Sequence, residues 1–144
     1  MMRDQASRLA ATQVYGPVSA TADNTPSAID LNGYNSATLY ISVGAGGVTF
    51  SATDKIEFKL THSDDNVTYT AVEQADVIGP TVASGGIVRS LVAAKAAADT
   101  APAEVGYIGG KRYLKLLNDF SGTHGTGTVI STVCVLGNSI YKPV

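Results

Sequence analysis

A chain of 144 residues makes one ordinary domain, long enough to bury roughly two-thirds of the surface that its unfolded form exposes. Only 15% of the residues are charged and the net charge is −2; beyond Lys111, Arg112 and Lys115 no basic cluster could neutralise phosphates, so nucleic acid is not an expected partner. The single cysteine, Cys134, permits neither an internal disulfide nor a cysteine-rich metal site.

The opening Met-Met-Arg-Asp-Gln-Ala-Ser-Arg lacks the apolar core of a signal peptide. No stretch approaches the ~18–20 apolar residues of a membrane span, so the expectation is synthesis in a reducing cytoplasm and no membrane partner. Residues 1–13 are polar with scattered alanines and read as an N-terminal arm, and residues 14–144 as a single β domain. A first strand is predicted over Gln13–Ala20, confined to an edge or bend by Gly16-Pro17. Ala22–Pro26 is a loop, and Asn32-Gly33 a turn after Ile29-Asp30-Leu31. Ala37, Leu39, Ile41 and Val43 then alternate with Thr38, Tyr40 and Ser42, the period-two pattern of a half-buried strand.

Residues 55–72 read as two strands around a polar turn. Ile56, Phe58 and Leu60 face one way and Lys55, Glu57 and Lys59 the other. Ser63–Asn66 supplies short polar side chains that bond their own backbone and reverse the chain, and the second strand is expected over Val67–Val72. Ala75–Ile78 suggests a short edge strand and Ile87–Val92 an extended segment, whereas the alanine-rich Leu91–Ala98 could turn helical. Asp99–Glu104 is a loop. Val105–Ile108 and Arg112–Leu117 read as strands around Gly109-Gly110, and Thr128–Leu136 is apolar on both faces, as a central strand can be. About eight short strands with turn signals between them predict an antiparallel β-sandwich. An antibody-type domain would want a tryptophan and a cysteine pair, and both are missing. A viral-type jelly roll or a generic sandwich is therefore preferred.

Candidate chemistry is thin. Asp64, Asp65 and Asn66 resemble part of a calcium loop but lack its alternating spacing, central glycine and distant glutamate. His62 and His124 sit in separate turn regions and read as solvated loop histidines. Gly122-Thr-His-Gly-Thr-Gly precedes a β-branched strand rather than the helix that a phosphate loop needs, so it reads as a hairpin tip. No Gly-x-Ser-x-Gly elbow occurs. No cofactor, metal or enzymatic activity is expected. The one basic and aromatic patch is Lys111, Tyr113 and Lys115, placed by alternation on a face opposite Leu114 and Leu116; a solvated strand face and a partner contact are both open readings.

Three blocks carry a resemblance: Ser27-Ala-Ile-Asp-Leu-Asn-Gly-Tyr-Asn-Ser-Ala-Thr-Leu-Tyr-Ile-Ser-Val, Phe58-Lys-Leu-Thr-His-Ser-Asp-Asp-Asn-Val-Thr-Tyr-Thr-Ala-Val, and Val105-Gly-Tyr-Ile-Gly-Gly-Lys-Arg-Tyr-Leu-Lys-Leu. With the closing Val133-Cys-Val-Leu-Gly they resemble small proteins encoded beside capsid genes in tailed bacteriophages and prophages. The resemblance implies a virion structural protein, of the decoration or cement type that binds the outer lattice of the major capsid protein. It also implies a homo-oligomer; cement proteins commonly stand as trimers at symmetry axes, although no residue here fixes a threefold. Arg3 and Arg8 in the arm would join Lys111, Tyr113 and Lys115 as partner contacts. The rival readings are a head-completion or tail component, and a carbohydrate-binding module using Tyr40, Tyr69, Tyr107 and Tyr113.

Overall fold

Ten strands and two short 3-10 turns, and no α-helix, make up the computed structural model, which describes residues 4–46 and 49–139. The strands are β1 (Ala10–Ala20), β2 (Ile29–Asp30), β3 (Tyr34–Val43), β4 (Lys55–Ser63), β5 (Thr70–Ala71), β6 (Val77–Ile78), β7 (Ile87–Leu91), β8 (Ala103–Tyr107), β9 (Tyr113–Ser121) and β10 (Thr128–Ser139). The first sheet runs β1-β10-β3-β8-β6 and the second β2-β9-β4, with β5 and β7 both on the far side of β4.

The antiparallel pairs are nested: β1 with β10, β2 with β9, β3 with β8, and β4 with β7. The chain thus behaves as one long hairpin bent at its middle and rolled, so that successive pairs fall in alternate sheets. This is a jelly roll. The expected all-β antiparallel sandwich is what forms; the strands beyond eight are β5 and β6, two residues each.

The core lies between the sheets and follows the alternation in the sequence. Leu39, Ile41, Ile56, Phe58, Leu60, Leu114 and Ile130 are completely buried, each contributing about 1.5–3 kcal/mol relative to exposure. A slip of one residue would turn every one of them to solvent, which fixes the register. Cys134 belongs to this core, and burial pushes its thiol up to about 11. It should therefore resist a thiol reagent such as DTNB at pH 8 in the folded protein and react stoichiometrically in denaturant; fast labelling of the native chain would contradict this packing.

Several expectations need correction. Ala10–Gln13, read as part of the arm, are the start of β1 and pair with Leu136 to Val133. The described segment ahead of β1 holds a 3-10 turn at Ala6–Arg8. Arg3 and the tail Lys142-Pro143-Val144 lie outside the described residues. Gly16-Pro17 falls within the second of two register shifts in β1, an edge strand, where proline has no N–H for a ladder. The second strand of the 55–72 hairpin shrinks from Val67–Val72 to Thr70–Ala71, with Val67 in the loop.

Leu91–Ala98 forms no helix beyond the end of β7. It belongs to a strap running to β8, tied by the Gly46 N–H to Lys95 O at 3.0 Å and by Asp99. Asp99 prolongs the β3 ladder ahead of the start of β8: its N–H donates to Val43 O at 2.9 Å and its carboxylate accepts the Val43 N–H at 2.8 Å. Arg89 at 3.0 Å and Lys95 at 2.7 Å complete its coordination. Burial alone would raise this carboxyl, but the donors from Lys95, Val43 and Arg89 outweigh it and hold it below the usual carboxylate range.

The opposite edge is closed by side chains. β2 covers only Tyr113 and Leu114 of β9. Beyond it, Asn24 accepts the Asn118 N–H at 2.7 Å and donates to Leu116 O at 3.2 Å, and Asp23 accepts the Phe120 N–H at 2.7 Å. Asn24 and Asp23 thereby stand where another strand would add.

Candidate interaction surface

The polar loop after β4 is organised by two side chains. Ser63 Oγ accepts the N–H groups of Asp65 and Asn66, while Asp65 Oδ1 takes the N–H groups of Val67 and Thr68 and the Ser63 hydroxyl. Those donors hold the Asp65 carboxyl down at about 2, and its oxygen is spent on the chain reversal that the sequence anticipates. No grouping of three metal-ligating side chains occurs among the described residues.

This loop delivers Tyr69 and Thr70 beside the start of β9. Lys115 Nζ sits 4.2 Å from the centre of the Tyr69 ring, and Lys111 Nζ reaches Thr70 Oγ1 at 3.4 Å and Asp64 at 3.9 Å. Arg112 lies over the Tyr113 ring at 4.9 Å while its guanidinium grips Asp30 through two bonds of 2.9 and 2.8 Å. That pairing pushes the Arg112 pKa up and the Asp30 pKa down. The structure therefore brings Lys111, Tyr113 and Lys115 together, with one change: β9 begins at Tyr113, so Lys111 projects from the preceding loop rather than from the strand. Arg8 is apart from them, in a hollow with Asp4, Leu9 and Asn138 beside the first sheet.

Behind the patch a cleft of about 400 Å³ opens between the β2–β3 turn and the β8–β9 loop, with Asn32, Tyr34, Asn35, Asp64 and Lys111 on its walls. Its floor is rigid. Tyr107, 5% exposed, accepts the Lys111 backbone N–H at 3.0 Å and bonds His62 Nδ1 at 2.9 Å. Burial lowers the His62 pKa and raises that of Tyr107, so both are neutral at pH 7.

The expectation of solvated loop histidines is overturned, since both rings are buried. His62 is buried at one end of the sandwich, and His124, 3% exposed, lies beyond the far end of β9 with its ring 4.8 Å from Phe120. His124 Nε2 donates to Ser121 O at 2.8 Å. The Gly122–Gly127 segment is correspondingly no hairpin tip, since it carries the chain from β9 in one sheet to β10 in the other. The four tyrosines of the carbohydrate reading do not line one groove: Tyr107 is buried, Tyr40 stands on the first sheet, and only Tyr69 and Tyr113 meet at the patch.

The contribution of Tyr69 was not legible in the sequence. It lies 44 to 46 positions before Tyr113 and Lys115 and reaches them only through the pairing of β4 with β9, in which Thr61 faces Lys115 and Ser63 faces Tyr113. The three charges expected on the wet face of β4 are also accounted for. Lys55 pairs with Glu57 at 2.7 Å, and Lys59 pairs with Asp119 across the strand, which raises the Lys59 pKa. No helix among the described residues is long and apolar enough to cross a membrane. No family model, curated protein or solved structure matches the chain.

Proposed function

We propose that the chain is a structural protein of a virion, a decoration or cement protein that binds the major capsid protein on the outer lattice of the head. The observation that carries the reading is the patch at the start of β9. Two tyrosine rings lie beneath cationic side chains there, Tyr69 under Lys115 and Tyr113 under Arg112. Tyrosine and arginine held in fixed positions are the residues that most often dominate protein interfaces, because little entropy remains to be lost on docking. The jelly roll and the sequence resemblance support the same reading, and many copies on a closed shell would convert a modest contact into strong bracing.

Co-sedimentation of the purified protein with undecorated capsids tests it. The wild-type chain binds, Tyr113→Ala with Lys115→Ala lowers affinity at least tenfold, and binding weakens between about 50 and 300 mM salt because the patch is charged and partly exposed. Failure of the wild-type protein to bind, or undiminished binding by the double variant, overturns the proposal. Removal of residues 1–8 tests the arm while sparing β1; a cut after residue 13 would take part of the first strand with it. Copies counted per particle separate a lattice protein from a component of the neck or tail.

A further inference from the structure

The outer faces of the two sheets differ in kind. On the second sheet Lys55, Glu57 and Lys59 of β4 and Lys115 and Asp119 of β9 alternate in sign and pair with one another or with an aromatic ring. The first sheet shows the reverse. Its rows, read across β8, β3, β10 and β1, are Gly106, Thr38, Val135 and Ala11, then Glu104, Tyr40, Val133 and Gln13. Next come Ser42 and Ser131, and then Val129 beside Ser19. Ile78 of β6 extends the first row. Glu104 is the one acidic or basic side chain in these rows, while Ile78 and Val129 are 60% and 47% exposed.

We infer that this face is an interface between two copies of the chain, packed sheet against sheet about a two-fold axis along the seam of β10 and β3. Size permits it. At about 4.8 Å spacing, β1, β3 and β10 of about 35 Å each and the shorter β8 of about 17 Å give roughly 600 Å² per copy, or roughly 1,200 Å² in all, which clears the ~1,000 Å² that a specific contact needs. Charge favours a second copy over a partner of complementary sign. A two-fold contact sets the same patch against itself, so it tolerates no cluster of like charge. The rows also match under that axis: β8 comes to lie over the partner copy's β1, and β3 over its β10. The Tyr40 ring then covers Val133 of the other copy, and the two Glu104 carboxylates sit at opposite margins. The β-branched and hydroxyl side chains of the face are short enough for two sheets to approach at about 10 Å.

The inference goes beyond capsid binding and is tested without capsids. Sedimentation equilibrium on the full-length protein at micromolar concentration is expected to give twice the monomer mass. Val133→Lys puts like charges against each other at the centre of the contact and should raise the dissociation constant at least a hundredfold, with Thr38→Lys as a second route to the same result. Lys115→Ala, on the other sheet, should leave the mass unchanged. Far-UV circular dichroism and a thermal melt taken on each variant show that it folds. A one-copy mass for the wild-type chain, a three-copy mass, or a two-copy mass that survives both folded lysine variants overturns the inference. A lysine variant that folds and dissociates upholds it whatever becomes of the patch at β9.

Discussion

Asp99→Asn is expected to lower the unfolding free energy by about 2–3 kcal/mol, read as a shift of the urea midpoint with an unchanged slope. The carboxylate is the meeting point of Arg89, Lys95 and the Val43 N–H. An amide of the same shape keeps one acceptor oxygen but turns donors towards two cations. Those cations are poorly solvated, their side chains being 18% and 17% exposed, so the loss exceeds that of a surface pair. Lys95→Met, which leaves Arg89 in place, should cost under about 1 kcal/mol. The strap from β7 to β8 should also become more prone to proteolytic nicking in Asp99→Asn, since its ion pairs with Arg89 and Lys95 are lost while only the backbone bonds to Val43 and Gly46 remain. The pH dependence has a definite sign. The folded-state carboxyl lies below its unfolded value of 3.8, so its stabilisation is complete above about pH 5 and is lost as pH falls through the folded value. A variant that matched wild type in midpoint and in acid sensitivity would show that the cluster contributes nothing.

Tyr107→Phe is expected to cost about 1–2 kcal/mol while leaving the hydrophobic packing of the ring intact. What disappears is one oxygen that closes the β8–β9 loop through the Lys111 N–H and satisfies His62. The histidine adds a second signature. Burial sets its folded-state pKa below 6.5, so folding favours the neutral ring. The resulting stability is full above about pH 6.5 and declines as pH drops through the folded value. Chemical denaturation from pH 7.5 to 5 should show that decline in wild type and a shallower one in His62→Phe. An identical slope in the two proteins would mean that His62 titrates as freely in the fold as in the unfolded chain.

Much of the fold was legible because it rests on short-range alternation. Ala37 to Val43 and Ile56 to Leu60 announce their buried faces in the order of their side chains, and Gly16-Pro17 marks β1 as an edge. What stayed hidden depends on distant parts of the chain. The strap over Ala93–Ala98 has alanines that favour a helix, yet Lys95 and Asp99 find partners on β3, β7 and the loop at Gly46, and these outweigh a weak local propensity. His62 reads as a loop residue because it sits beside polar neighbours. Its burial comes from Tyr107, 45 positions away. Asn118 and Thr132 are likewise fully buried polar residues on the mainly apolar inward faces of β9 and β10, without a partner for their side-chain polar atoms. Alternation placed them inward, but no local pattern shows why those positions are polar. The candidate site was partly readable, since Lys111, Tyr113 and Lys115 are near in sequence, while Tyr69 and Asp30 enter only through strand pairing.

The nested pairing of strands also orders events in time. β4 and β7 are the nearest in sequence of the four nested pairs and can meet first, whereas Ala10 pairs with Leu136 across nearly the whole chain. Closure of that outermost pair carries the largest loop entropy and rewards the chain last. During synthesis β1 emerges first and must wait for β10 to leave the ribosome, with its edge unpaired throughout. The strand that completes the domain is thus the one longest exposed to wrong partners, and its register shifts, one before Tyr15 and one at Gly16-Pro17, make it a poor template for them.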